Sequence, residues 1–309
     1  IASCLVGSEM CIRDRDGVDR VTPLLLRVSD NKIWLRGGRC WLRAMLSQWS
    51  GEERLHANVL TPVLISGKQG LSKSTFCRLL MPDSLRHYFI DNLNLTAGSS
   101  PEKKLVKNGL INLDEFDKIK ESQQATLKNL LQMVNVPVFR GKRLGWVNES
   151  RLASFIATTN VYQVLIDSTG SRRFLCVEVL KPISEEPLEH KQIYAQLKEE
   201  LKSGAPDYLN KEEEKALQKH NKAYYRQSLL EDVFHCCFRH PLETEKGIWL
   251  TTAEIFQVMR KFNSAALKEV SARQLGLKLS AMGYMAKHTS FGNRYYVFNL
   301  SAEKKEVSL

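Results

Sequence analysis

The chain has 309 residues, 43% hydrophobic and 26% charged, so it has ample apolar content for a real core and the make-up of an ordinary globular protein. No apolar run approaches the roughly 18–20 residues of a membrane span, which excludes a helical membrane protein. A formal charge of +11 with a pI near 9.3 suits a polyanionic partner, nucleic acid above all, and equally suits a merely solvated basic surface.

Residues 1–15 read like a translated sequencing-adaptor scar, too polar for a secretory signal, and the natural protein is expected to be longer at this end. Residues 16–38 read as a linker into a domain spanning 39–182. Trp41, Leu42, Met45, Leu46 and Trp49 fall at helical spacing, which predicts an amphipathic helix over 39–48. Pro62-Val63-Leu64-Ile65 predicts a buried strand, and Thr75-Phe76-Cys77-Arg78-Leu79-Leu80 a helix that Met81-Pro82 stops. A short strand at His87-Tyr88-Phe89-Ile90 and a loop over 92–107 lead to a second buried strand, Leu110-Ile111-Asn112-Leu113. Residues 122–133 follow as a helix with Leu127, Leu130 and Leu131 on its inner face, and 136–147, with Gly141 and Gly145, as a hairpin. Two more core strands start at Phe155 and Phe174. Composition shifts at Lys181-Pro182: residues 183–228, rich in Glu, Lys and Gln, predict a linker of exposed helices, and hydrophobic order returns over 229–303.

The chemistry begins at Gly67-Lys68-Gln69-Gly70-Leu71-Ser72-Lys73-Ser74, a phosphate-binding-loop pattern with Ser72 in place of the second glycine. Strand, tight loop and helix N-terminus is the setting in which backbone N–H groups, here from Gly67 and from Gln69 to Thr75, face a triphosphate. Lys73 would reach the β- and γ-phosphates of ATP, and the Ser74 hydroxyl would sit on Mg²⁺. About forty residues on, the second strand delivers Asp114 and Glu115, the first to hold Mg²⁺ and the second to polarise an attacking water. Asn160 ends the third core strand, where an amide can orient that water. Arg172 and Arg173 precede the fourth; in a ring of subunits one would reach a neighbour's ATP while the other is structural, with Arg172 preferred as the finger.

These pieces, in this order, resemble the virulence-associated protein E (VirE/VapE-like) family, phage and mobile-element proteins related to superfamily 3 helicases and primase-helicases. The likeness rests on residues 67–75, 112–117, 127–133, 154–160 and 167–179, and on the run Asp167-Ser168-Thr169-Gly170-Ser171-Arg172-Arg173-Phe174 above all. It covers nearly everything from Asp16 to about Gly204. The resemblance implies an α/β P-loop NTPase core of the AAA+/superfamily 3 kind, a motor-like ATPase of a replication module, in a homo-oligomeric, hexameric ring. It also implies a primase-type domain or partner, expected beyond this start. Ser72 departs from the motor pattern and puts tight ATP binding in doubt.

Superfamily 3 helicases carry a DNA-translocating hairpin in the interval occupied here by Val138-Phe139-Arg140-Gly141-Lys142-Arg143-Leu144-Gly145-Trp146. Arg140, Lys142 and Arg143 with an aromatic suit a grip on single-stranded or forked DNA, against the alternative of a solvated basic hairpin. Towards the C-terminus, helices opening at Thr251 or Thr252 and at Ser271, the latter ending at Gly283, precede two strands around Phe291-Gly292-Asn293, a winged-helix-like pattern. Arg273, Gln274 and Lys278 would face a groove, with Lys287, His288 and Arg294 on the wing, although many winged helices only contact proteins. His288 reads as a wing surface residue rather than a metal ligand. The seven Cys, with Cys236-Cys237 adjacent, show no paired metal or redox spacing and point to a reducing cytoplasm. Two functions compete: an ATP-dependent DNA motor, and a nucleotide-regulated DNA-binding module with slow or no hydrolysis.

Overall fold

The computed structural model describes residues 15–50, 56–96, 100–166, 168–226, 229–242, 244–268, 270–290 and 292–300. The expectations for residues 1–14, Asp167 and the Phe291 turn apex lie outside the described residues. The chain divides into two compact units, 1–225 and 226–309.

The first unit is mixed α/β. Helices α1 (Val21–Leu26) and α2 (Lys32–Trp49) lead to β1 (Thr61–Ile65), followed by α3 (Lys73–Leu79), β2 (Phe89–Asp91), α4 (Glu102–Leu105) and β3 (Leu110–Leu113). Then come α5 (Glu121–Gln132), the hairpin β4 (Asn135–Phe139) and β5 (Trp146–Ser150), β6 (Ser154–Thr159), β7 (Phe174–Glu178), α6 (His190–Lys202) and α7 (Lys211–Asn221). Among the described residues β2-β3-β6-β1-β7 form a five-stranded sheet, parallel throughout. Its central strands are apolar on both faces, as a parallel sheet covered by helices requires. Leu64, Ile156, Leu175 and Val177 pack with α2 and α6, while Val63, Ile65, Phe155, Ala157, Phe174 and Cys176 pack with Leu127, Leu130 and Leu131 of α5. This alternation within single strands is the period of two expected of β structure.

Helix α2 starts seven residues before the expected 39. Asn31 caps it, its side chain accepting from the Ile33 and Trp34 amides, which satisfies donors a helix start leaves open. Residues 16–38 are therefore no linker: Val21, Leu24, Leu25 and Trp34 are buried core. The three buried tryptophans of α2 each place an indole N–H on a backbone carbonyl: Trp34 on Leu25 at 2.9 Å, Trp41 on Phe155 and Trp49 on Gly109 at 3.0 Å. Buried Trp is tolerated on that condition. Residues 183–225 likewise differ from a linker of exposed helices. Ile193, Tyr194, Leu197 and Leu217 join the core, and Glu200 of α6 receives Arg39 at 2.5 Å and Arg43 at 2.9 Å from α2. Their polar composition reflects one solvated face of each helix, and the other face is buried.

The second unit comprises α8 (Leu229–Cys237), β8 (Phe238–Arg239), β9 (Ile248–Thr251), α9 (Thr252–Phe262), α10 (Ala272–Ala281), β10 (Ala286–Thr289) and β11 (Gly292–Asn299). The predicted caps form: Thr251 with Glu254 and Ser271 with Gln274 make reciprocal capping boxes. Antiparallel β11 pairs with β10, β9 and β8, and Leu275, Leu279, Ile255, Phe234 and Tyr295 fill the core. No helix among the described residues is long and apolar enough to cross a membrane.

Candidate nucleotide site

The C-terminal ends of β1, β3 and β6 converge on a cleft of about 370 Å³, the place where open parallel sheets bind ligands. Its lining brings together Gln69, Gly70, Leu71, Ser72, Lys73, Ser74 and Thr75 with Asp114, Glu115 and Asn160. These residues come from three separate stretches of sequence and meet because β3 and β1 flank β6.

Lys73 is buried at 8% exposure. Its ammonium donates to Asn160 Oδ1 at 2.8 Å and to Ser66 Oγ. Burial lowers the Lys73 pKa, and the nearby Asp114 carboxylate opposes that shift. Ser74 Oγ donates to Asp114 Oδ1 at 3.2 Å, and Thr158 Oγ donates to the same oxygen. A hydroxyl and a carboxylate held this close are hard oxygen donors of the kind Mg²⁺ takes alongside phosphates. Among the described residues no cluster of three His, Cys, Asp or Glu is placed to hold a metal by itself.

Ser72 and Glu115 share an unusual backbone. Both lie in the left-handed region, at φ 57° and 53°, where residues other than glycine are strained. The second glycine of the loop pattern is thus replaced at a position whose conformation favours glycine. Ser72→Gly should relieve about 1–2 kcal/mol of strain, of which roughly 0.5–1 kcal/mol returns as added chain entropy in the unfolded state. The expected result is a small net gain in stability, read as a higher denaturant midpoint at unchanged m-value. A lower midpoint would show that the hydroxyl contributes more than the backbone costs.

Glu115 also pairs with Lys118, Nζ to Oε1 at 2.6 Å, with both side chains mostly exposed. A third carboxylate that sequence reasoning missed, Asp117, lines the cleft and accepts from Thr159 Oγ1 at 2.6 Å. Ser66, Thr158 and Thr159 were missed too. Their signal was only position: Ser66 follows β1, and Thr158 and Thr159 close β6 just before Asn160.

The twin arginines do not line this cleft. Arg172 pairs with Glu214 of α7 at 3.3 Å, and the Arg173 guanidinium faces the Gln132 side chain. Two expected nucleic-acid contacts are committed elsewhere. Arg140 pairs across its own hairpin with Glu149, Nη2 to Oε2 at 2.6 Å, reaching along the hairpin to a residue whose register partner is Val136. Lys278 turns to Glu231 of α8 at 2.7 Å. Lys287 lies 4.4 Å over the Trp249 ring, and His288 bonds Asn293 at 2.8 Å. Lys142, Arg143, Arg273 and Arg294 are exposed and make no ion pair among the described residues. On the hairpin Phe139 and Trp146 face each other at 5.6 Å, and Trp146 is 73% exposed.

A family model described as the virulence-associated protein E-like domain matches residues 10–226. The chain belongs to that family. A second model, described as a domain of unknown function from B. Theta, matches residues 227–297 of this VapE-like protein, the stretch that forms the second compact unit. Among solved structures, the apo structure of the NrS-1 C terminal region (305-718) is similar at 14% identity, covering 93% of this chain and 77% of its own, with a TM-score of 0.44. The A form apo structure of that region is similar at 15% identity, covering 93% and 78%, also at 0.44. No curated protein matches the chain.

Proposed function

We propose that this VapE-like protein is an ATP-dependent DNA motor of a phage or mobile-element replication module, built on a P-loop NTPase core of the AAA+/superfamily 3 kind with a winged-helix-like second unit. The observation that carries it is the buried Lys73 held between Ser66 and Asn160, beside the Ser74–Asp114–Thr158 cluster in one cleft. The parallel order β2-β3-β6-β1-β7, with β1 between its last two neighbours, supports the same reading.

Lys73 offers its charge to the β- and γ-phosphates, and Asn160 positions both that ammonium and the attacking water. Ser74 and Asp114 would hold Mg²⁺, which when bound neutralises charge on the phosphates. Glu115, or water oriented through it, takes the proton of the nucleophile once its contact with Lys118 opens. Arg172 serves the site of a neighbouring subunit in a homo-oligomeric, hexameric ring. DNA engages Lys142, Arg143 and the Phe139–Trp146 pair on the hairpin, while Arg273 and Arg294 give the second unit its own contact.

ATP turnover in rising single-stranded DNA, at several salt concentrations, tests this. Wild type should be stimulated. Trp146→Ala should raise the DNA concentration for half-stimulation roughly tenfold or more, from lost base stacking worth ~1–3 kcal/mol. Lys142→Ala with Arg143→Ala should lower the salt slope by about 1.4, at roughly 0.7 per phosphate contact. No stimulation of wild type would overturn the motor reading. It would leave the alternative of a nucleotide-regulated DNA-binding module, which the outward Glu115–Lys118 pair favours and which predicts duplex binding that survives Lys73→Ala.

A further inference from the structure

The Gly67–Ser74 loop leaves β1 between β6 and β7, its two neighbours in the sheet. Tyr162, two residues past Asn160, crosses over the start of that loop. A Cβ built on Gly67 would stand 2.9 Å from Tyr162 Cε2, and the three atoms nearest to it all belong to this one side chain. At its far end the phenol donates to Glu178 Oε1 at 2.6 Å, and Glu178 is the last residue of β7. The turn that aims Tyr162 is set by Thr159, whose Oγ1 accepts from the Val161 amide at 3.0 Å while donating to Asp117.

We infer that Tyr162 is a positioning residue: a strap from the end of β6 to the end of β7 that fixes where the nucleotide loop begins. It is not among the residues lining the cleft, so it acts through Gly67. The inference rests on the nucleotide reading of the site. Three observations give it physical content. First, Gly67 has no left-handed backbone angle, so its lack of a side chain answers to the ring packed on it and to no demand of the backbone. Second, the hydrogen bond to Glu178 raises the Tyr162 pKa, so the phenol stays a donor at neutral pH. Third, a loop that must present several N–H groups to phosphates loses binding when its anchor shifts, because its donors are useful only where they are preorganised.

A size-swap cycle tests the strap. Wild type, Gly67→Ala, Tyr162→Ala and the double variant are compared for Mg·ATP affinity and, separately, for melting without nucleotide. Gly67→Ala should weaken Mg·ATP binding roughly tenfold or more, and the double variant should return to within about threefold of Tyr162→Ala, a coupling within the range of contacting residues. Tyr162→Phe and Glu178→Ala, which keep the ring and lose only the tie, should raise KM more than they lower kcat. Additive effects in both binding and melting would overturn the strap. Wild-type binding that is absent, or unchanged in Lys73→Ala, would instead sink the nucleotide reading; the melting cycle still decides whether Tyr162 and Gly67 are coupled.

Discussion

Lys73→Ala is expected to abolish measurable ATP turnover, a fall of at least ~10²–10³-fold, comparable to removing one preorganised donor to developing negative charge. The size follows from where the ammonium sits. It is buried and bonded to Asn160 and Ser66, and the Asp114 carboxylate partly opposes the lowering of its pKa by burial. Among the described residues no other lysine lines the cleft, and the nearby Lys118 is paired with Glu115. The substitution leaves no buried polar group unpaired, because Asn160 is exposed and Ser66 Oγ keeps its bonds to the Lys68 carbonyl at 2.6 Å and to Asn160 Oδ1 at 3.4 Å. Melting should therefore change little beside the kinetic loss. The check is turnover and Mg·ATP affinity of wild type beside Lys73→Ala and Glu115→Gln, with melting recorded for each. Glu115→Gln should keep nucleotide affinity and lose turnover, since it removes a base and no phosphate contact. Equal turnover in all three would remove the cleft from the chemistry altogether.

Much of this cleft was legible before folding because its parts are tied to local signals. An apolar strand, a glycine-bearing loop and a helix are contiguous around Lys73, and Asp114 and Asn160 each stand at the end of a β-rich run. Position on a strand end needs only the strand. Partnership needs the sheet order, and that is where the sequence falls silent. Thr158 reaches Asp114, and Thr159 reaches Asp117, only because β6 lies beside β3. Likewise Arg140 looked free until the β4–β5 register put Glu149 on its own hairpin, and Lys278 until α8 placed Glu231 beside α10. The helices over 183–225 misled for a different reason. Composition averages the two faces of a helix, and the buried residues Ile193, Tyr194, Leu197 and Leu217 are outnumbered by the solvated ones. Asn31 shows a signal that was present and unread: a capping residue eight before the expected helix start at 39. Ser72 gained a definite meaning. The doubt raised by its missing glycine concerns the left-handed backbone it must adopt, in addition to any crowding of the nucleotide.

Arg172→Ala should lower turnover by about 10³-fold or more while leaving Mg·ATP affinity near wild type, the effect expected of an arginine finger. Its position makes the prediction sharp. Arg172 is half-exposed and does not line the cleft, which under the proposed ring mechanism assigns it to a neighbour's nucleotide. Among the described residues its ion pair is with Glu214, a kind of pair worth about 0–1 kcal/mol, so melting should barely move. Arg173, facing the Gln132 side chain and already partnered, suits the structural role in the proposed mechanism, so Arg173→Ala should shift melting more than Arg172→Ala does. Mixing separates action across a subunit junction from action within one subunit. Arg172→Ala and Lys73→Ala proteins are each inactive alone, but a junction joining the loop of the first to the finger of the second is complete. In a ring of head-to-tail contacts, equal mixing gives such a junction about one time in four, so about a quarter of wild-type turnover should return. Recovery depends on assembly and should vanish on dilution below the ring's stability. If the mixture stays as inactive as its parts while both variants enter the same oligomer, Arg172 serves no neighbour and the ring mechanism fails at that residue.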